Sequence, residues 1–272
     1  MPETLNPIVE TYSRLSATYD EDLNQHSCWG LSAEKALASL KLKDEYQVVV
    51  DVGCGTGRAL SQLVSKGRPG IRFIGVDPAE RMRNRAYERT RNCPGVSILD
   101  GSFEKMSLES ASVDYMFSIF AFHWTTDLEA AVREISRVLK PTAEMDLFFI
   151  RRNNGREFIR ETTPIFLKYM GPALLLDSAR MRKQLTREAA FRLFAKTFAS
   201  PRLSVEESYE TYYDTLEGHW GWWVRIEGHF MKIAADKRDD CNHEVREALL
   251  SLAREKGIPY TIHRLHVKLR QA

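Results

Sequence analysis

Three places in this 272-residue chain combine residue types at spacings that could do chemistry. The first is DVGCGTG, where Asp51 is followed by glycines at 53, 55 and 57. Glycines let a backbone turn sharply and come close to a ligand, and a helix that starts there offers free N–H groups. A carboxylate two residues ahead of the first glycine suits a ligand with an ammonium group better than a pyrophosphate. The second place is Asp77, which closes the apolar run Ile71 to Asp77. An acid there can accept from both hydroxyls of a ribose, or it can simply cap the helix that Pro78 opens. The third is the His123-Trp124 pair after VDYMFSIF. His123 is a candidate general base, with a positioning or packing role as the other reading.

These residues must be held by strands and helices. Val48 to Val52 reads as a strand buried on both faces, because its apolar run is continuous. Residues 58–66 read as a helix, with Ala59, Leu60, Leu63 and Val64 at helical spacing. Further strands are expected at Ile71–Asp77, Val96–Leu99, Val113–Phe120 and Glu144–Ile150. Between them lie a helix with an arginine-rich face after Pro78, and the amphipathic DLEAAVREISRVLKP, which Pro141 ends. Ahead of them, residues 3–40 look helical, with a break at Asp20 to Asp22. Strands alternating with helices imply parallel βαβ units with right-handed crossovers.

The second half differs. Residues 155–200 read as three helical stretches, FIRETTPIFLKYM, ALLLDSARMRKQL and TREAAFRLFAKTF. A strand is expected at Leu203–Asp214, helices at 216–235 and 240–256, and a final strand at Ile258–Leu269. The expected fold is therefore α/β, a Rossmann-like, mostly parallel sheet of seven strands with helices on both faces. Its divisions would be an N-terminal helical segment over 1–42, a cofactor-binding core over 43–152, a helical cap over 153–202, and a completing piece over 203–272.

Composition narrows the function. Lys and Arg number 39 against 37 Asp and Glu, a formal net charge of +2, which opposes a dedicated nucleic-acid binder. The four cysteines are widely spaced and make no metal pattern, so no metal is expected. Cys54 reads as a small turn filler rather than a reactive thiol. The N-terminus does not read as a signal peptide, and no apolar run approaches the ~20 residues that span a bilayer. The expectation is a cytoplasmic protein with a small-molecule partner. An N-terminal helix exchanged between subunits would make it a homo-oligomer.

Two cofactor readings compete for the glycine turn. The dinucleotide fingerprint needs a third glycine where this chain has Arg58, and a long side chain fits poorly there. Asp77 serves both readings. DVGCGTG at 51–57, GVDPAERM at 75–82, LDGSFEKM at 99–106, VDYMFSIFAFHW at 113–124 and EISRVLKP at 134–141 follow in order. Together they resemble a class I S-adenosylmethionine-dependent methyltransferase of the ubiquinone/menaquinone-methyltransferase-like small-molecule group, over roughly residues 10 to 150.

The resemblance implies S-adenosyl-L-methionine as cofactor and S-adenosyl-L-homocysteine as product. Asp51 and the backbone of Gly53 and Gly55 would hold the methionine part. Asp77 would hold the ribose, with Pro78 and Met82 beside the adenine. Gly101, Ser102 and Phe103 would face the adenine edge, and Phe120 would lie near the sulfonium. The family often has an acid where this chain has Ser102, and Asp100 stands close enough to substitute. A helical insertion after strand five would cap the site and select the substrate. The substrate candidates are Tyr12, Tyr19, Trp124, Phe166, Tyr169, Tyr212, Trp220 and Trp223, a set that suits an apolar or aromatic metabolite of quinone, isoprenoid or secondary-metabolite type, O- or C-methylated. Tyr12 and Tyr19 read either as packing or as a lid. A cofactor-binding module without turnover and an NAD-dependent oxidoreductase are the competing functions. A base-amino methyltransferase is opposed by the lack of an Asn/Asp-Pro-Pro-aromatic motif after strand four.

Overall fold

A computed structural model describes residues 6–20, 26–67, 69–199, 201–223 and 231–271. The chain opens with helices α1 (Pro7–Leu15) and α2 (Cys28–Ser39). The first half then alternates β1 (Val48–Val52), α3 (Arg58–Val64), β2 (Arg72–Asp77), α4 (Glu80–Thr90), β3 (Val96–Ser102), β4 (Lys105–Met106), β5 (Val113–Ile119), α5 (Leu128–Val138) and β6 (Leu139–Ile150). The second half runs α6 (Arg156–Arg180), α7 (Arg187–Ala195), β7 (Leu203–Asp214), α8 (Leu216–Trp222), α9 (Arg238–Ser251) and β8 (Ile258–Leu269).

All strands join one eight-stranded sheet in the order β4-β3-β2-β1-β5-β6-β8-β7. Strands β3, β2, β1, β5 and β6 run parallel, which is the Rossmann-like arrangement. Strand β8 is antiparallel to β6, and β7 is antiparallel to β8 along its whole length. The strand beyond the expected seven is β4, two residues antiparallel to Gly101 and Ser102. So short a hairpin has no periodicity to read. Every residue of β1 is buried, as its continuous apolar run requires. One core lies on each face of the parallel sheet: Val50, Val52, Ile135 and Phe149 belong to one, and Val49, Leu60, Phe73 and Phe117 to the other.

Several elements differ from the sequence expectation. Strand β6 starts at Leu139, not at Glu144, and its register against β5 shifts between Val113 and Tyr115. That irregularity accommodates Pro141, which has no N–H for a ladder. The stretches 158–170 and 173–185 are two helical pieces, as expected, although the second ends at Arg180 rather than Leu185. They run on from one another as α6 and are parted by the non-helical Gly171 (φ 74°, ψ 169°), just ahead of Pro172. Helix α1 ends at Leu15, so Tyr19 lies beyond the helix that Tyr12 rides. Helix α9 stops at Ser251, before the left-handed Gly257. The expected helices over 3–40 and 216–235, and the break at Asp20 to Asp22, lie partly outside the described residues. Among the described residues no helix is long and apolar enough to cross a membrane, and no group of three or more His, Cys, Asp or Glu could hold a metal ion.

Candidate active site

The glycine turn sits at the carboxyl end of the parallel strands, where open α/β sheets leave a crevice. Two backbone bonds strap it to β2: the N–H groups of Gly53 and Cys54 donate to the Val76 carbonyl at 2.7 and 3.1 Å. Gly53 has φ 74°, and a Cβ there would lie 2.2 Å from that of Ala121, in the loop after β5. Gly57 begins α3 with φ 73°, and its Cβ would press on Ala86 of α4 at 2.9 Å. Gly55 is different. It also has positive φ, but a Cβ there would meet nothing within 4 Å, because it faces the cleft.

Two carboxylates flank this turn. Asp77 accepts from Gly55 N at 2.9 Å through one oxygen and from Ala79 N at 2.8 Å through the other. It therefore caps the helix start and braces the turn, with lone pairs left for a ligand. Burial pushes its carboxyl above the usual value, against the pull of those two N–H groups. Asp51 is 2% exposed and makes no hydrogen bond or ion pair among the described residues. Burial, and then the charge of Asp77, push its carboxyl well up. A buried carboxylate without a partner is costly, and a cation placed beside it would relieve that cost.

The space between these groups is one cleft with two lobes. The larger lobe, about 420 Å³, is lined by Asp77, Pro78, Met82, Ser102, Phe103, Glu104 and Ala121, with Ile8 and Val9 of α1 across from them. The smaller, about 200 Å³, is lined by Asp51, Cys54, Trp29, His123 and Arg182, among others. Tyr12, Tyr19, Gly53, Gly55, Phe120 and Trp124 line both lobes. Phe120 follows β5 directly in the left-handed region, φ 59°, where a bulky residue is strained. Its ring meets Trp29 edge-on with centroids 5.6 Å apart. Tyr12 stands edge-on to both Tyr19 and Trp124, at 5.9 and 6.2 Å. The N-terminal segment is tied down from below: Arg89 of α4 donates to Asp20 at 2.7 Å and to the Thr56 carbonyl of the glycine turn at 2.7 Å.

His123 is 3% exposed, and its Nδ1 has no hydrogen-bond partner among the described residues. Burial, and then the Arg182 charge, push its pKa well below the usual histidine value. The ring is neutral at pH 7 and resists taking a proton. Arg58, where a dinucleotide site needs its third glycine, instead pairs with Glu34 of α2 at 2.7 Å. Cys54 packs against Gly75, and burial pushes its thiol well up, so it fills the turn and is not a thiolate.

The cleft brings together Asp51, Gly53, Gly55, Asp77, Pro78, Met82, Ser102, Phe103, Phe120, His123, Tyr12, Tyr19 and Trp124. Gly101 is not on its wall and pairs with Met106 of β4. Asp100 turns outward to Arg83 at 2.6 Å, with 74% of its side chain exposed. The acid on the Ser102 wall is Glu104 instead. Burial works to raise its carboxyl, but hydrogen bonds from Thr126, Ser102 and Asp127 N hold it below the usual value.

Five substrate candidates lie away from both lobes. Phe166 stacks on Trp223 at 5.1 Å, inside a core shared with α9 and β8. Tyr169 donates to Glu244 at 2.6 Å, Tyr212 donates to Glu210 at 2.9 Å, and Trp220 lies under Arg246. These aromatics pack the second half, and Trp29 and Phe120 of the cleft wall lean on the same core. Trp29, Arg182 and Glu104 are among the wall residues that sequence reasoning missed. Trp29 carried the weak signal of a large aromatic at a helix start. Arg182 carried none.

Comparison with known proteins agrees with this geometry. Residues 50–145 match the family described as a methyltransferase domain. An uncharacterized methyltransferase of Oceanobacillus iheyensis is 35% identical over 95 residues, covering 34% of this chain and 42% of the relative. The chain thus spans less than half the length of that relative. A ubiquinone/menaquinone biosynthesis C-methyltransferase of Campylobacter jejuni is 25% identical over 177 residues, 61% of this chain and 73% of the relative. A putative methyltransferase of Bacillus halodurans superposes with a TM-score of 0.59 at 14% identity, covering 89% of this chain and 99% of that one. That last likeness is one of fold.

Proposed function

We propose that this chain, a class I S-adenosylmethionine-dependent methyltransferase by family, transfers a methyl group to a small apolar or aromatic acceptor. One observation carries the cofactor assignment: Asp51 is buried, unpartnered and open to the cleft beside Gly55, where no side chain fills the space. That donor set fits an amino-acid ammonium on one side of the turn, and Asp77 fits a ribose on the other.

In this reading the smaller lobe takes the methionine end and the acceptor, and the larger lobe takes the adenosine. Asp51 and the backbone of Gly53 and Gly55 hold the ammonium end. Asp77 keeps its backbone bonds and accepts from the ribose hydroxyls. Pro78, Met82, Ser102 and Phe103 would hold the adenine. When bound, S-adenosylmethionine supplies an electrophilic methyl group on a sulfonium that leaves as a neutral thioether.

The protein's own share is positioning and exclusion of water. Phe120, Tyr12, Tyr19 and Trp124 wall the meeting point of the lobes, and Tyr12 and Tyr19 close it as a lid. Burial pushes the Tyr19 hydroxyl up to about 12 and that of Tyr12 higher still, so both tyrosines stay neutral walls. His123 is the candidate base by position, but a proton there would put a second charge beside Arg182 in a buried site. We assign it a positioning role. The four-part division of the chain stands with this proposal, with α6 and α7 as cap. The likeness to a Campylobacter C-methyltransferase of ubiquinone/menaquinone biosynthesis makes an isoprenoid or quinone-type acceptor the first class to try. The four cysteines are free thiols, in keeping with a cytoplasmic setting.

Calorimetric titration with S-adenosylhomocysteine tests the cofactor assignment. Binding is expected, with Asp77→Ala weakening it at least tenfold, about 1.4 kcal/mol. Absence of binding to the unaltered protein would overturn the proposal.

A further inference from the structure

Four of the six large aliphatic side chains exposed among the described residues lie on α6: Ile159, Leu167, Leu174 and Leu176. A fifth, Leu250, is on α9, which packs against α6. On its other side α6 buries Phe158, Thr162, Phe166 and Met170 at helical spacing. The helix is therefore apolar on two sides, of which the core takes one and the other faces outward. Ile159, Thr163 and Leu167 follow at four-residue intervals and form a ridge. Thr163 donates its hydroxyl to the Ile159 carbonyl at 2.5 Å, which turns its polar group back on the helix. The charges around this ridge are ordered. The Arg156 side chain is 75% exposed and that of its partner Glu157 17%, and Arg160 is 71% exposed against 33% for Glu161. Lys168 likewise lies outside Glu244. Arg152 and Arg180 stand exposed at the two ends of the helix, and the third acid of α6, Asp177, is balanced by Lys232 at 4.0 Å. Along the ridge, then, the cation is the outer member of its pair. Elsewhere the order reverses: Asp100 lies outside Arg83, and Glu206 outside Lys268. It also reverses between α8 and α9, where Glu217 lies outside Arg246 and the basic rim stops.

We propose that α6 docks on an anionic lipid surface, its aliphatic ridge entering the acyl boundary and its arginines and Lys168 meeting the headgroups. An aliphatic ridge with a cationic rim matches an anionic bilayer in both polarity and charge, and a convex ridge needs no groove in its partner. Arginine stems lie along apolar surface while their charged heads stay wet. The ridge also leads into the site. The chain after α6 turns back to the cleft, where Lys183 N donates to the His123 carbonyl at 2.8 Å and Arg182 lines the smaller lobe. An apolar acceptor partitions into a bilayer, so docking there brings the cleft to the phase that holds its substrate. That consequence rests on the acceptor class proposed above, whereas the docking face itself rests on α6 alone.

The test floats the protein with vesicles of phosphatidylcholine alone and of equal parts phosphatidylcholine and phosphatidylglycerol. Binding is expected to be at least tenfold tighter to the anionic vesicles, and to weaken at least fivefold as salt rises from about 0.05 M to about 0.5 M. Leu167→Asp, and separately Arg156→Glu with Arg160→Glu, should each weaken it at least tenfold. Leu31→Asp, at an exposed leucine on α2, should change it less than twofold. All four positions are exposed, and an unchanged melting temperature confirms that each variant folds. Absence of binding to either vesicle would overturn the proposal, and this arm needs no variant. Equal binding to neutral and anionic vesicles would do the same, as would an equal loss in Leu31→Asp. Absence of vesicle binding together with a dimer in sedimentation that Leu167→Asp dissociates would give the face to a second copy of this chain. Flotation uses neither cofactor nor acceptor, so its failure leaves the methyltransferase reading untouched. A protein that floats but methylates no apolar acceptor would overturn the acceptor class alone.

Discussion

The glycine-turn end of the cleft and the aromatic core of the second half are both rich in conspicuous residues, yet they are built on different principles. At the glycine turn the conspicuous residues surround open space. Gly55 faces it, Asp51 has no partner in it, and Asp77 braces it from β2. In the second half they surround one another: Phe166 and Phe158 both meet Trp223, and Tyr169 and Tyr212 spend their hydroxyls on Glu244 and Glu210. A residue that is unsatisfied is available to a ligand. A residue with all its partners in hand is holding the fold. Density of aromatics says nothing about which of these applies.

The contrast can be broken or sharpened by substitution, and the largest effect is expected in the second half. Trp223→Ala should cost about 3–5 kcal/mol, because it empties a site closed on all sides. Denaturant melts would show the loss, while S-adenosylhomocysteine affinity of the folded protein stays within twofold. A fall in affinity without a fall in stability would place Trp223 in the binding machinery and erase the distinction.

Asp51→Asn should do the reverse. Burial and the Asp77 charge raise the Asp51 carboxyl in the folded state, so the fold is favoured below the ordinary value of 3.8 and loses stability as pH rises through the raised one. The amide removes that loss. Its ligand-free melting temperature at pH 7 should exceed that of the unaltered protein, while S-adenosylhomocysteine binds tenfold or more weakly. A lower melting temperature would mean that Asp51 is structural.

His123→Gln should matter less. The methyl-transfer rate is expected to fall by less than about tenfold, where loss of a general base typically costs 10²–10⁴-fold. Stability supplies a second readout. Below the ordinary histidine value of 6.5 the unfolded chain binds a proton that the buried ring refuses, so stability falls as pH drops through that region. The variant should lose less than the unaltered protein there. A rate loss of a hundredfold, rescued at higher pH, would restore the general base.

Smallest of all should be Tyr169→Phe. Its hydroxyl touches Glu244 at the surface of the helical region, in a contact of the kind that adds little in water. Neither melting temperature nor acceptor binding should move measurably. A changed acceptor preference would bring the cap helices back into substrate selection.

How much of this was legible beforehand differs along the same line. The parallel core could be read because each strand is a short, continuous apolar run and each amphipathic helix repeats at its own period. The seam at Pro141 and the two-residue β4 could not, since neither has a period. Asp51, Gly53, Gly55 and Asp77 could be named because they sit within one strand–turn–helix unit and the next strand end. Glu104 was missed in favour of Asp100, although both flank Ser102. The ion pair with Arg83 turns Asp100 outward, and hydrogen bonds from Thr126, Asp127 and Ser102 fix Glu104 on the wall.

By itself the sequence determined the α/β class, the glycine turn and the pair of carboxylates that flank it. Local rules suffice there, because burial of apolar runs, the steric freedom of glycine and the capping of a helix all act over a few residues. The acceptor lobe was decided by tertiary structure. Tyr12 comes from α1, Trp29 from α2, Phe120 and His123 from the loop after β5, and Arg182 from the chain after α6. No local pattern links those positions. They meet because the sheet brings the carboxyl ends of its strands to one edge, and because the packing of α6 against α9 and β8 delivers Arg182 over the Trp124 ring.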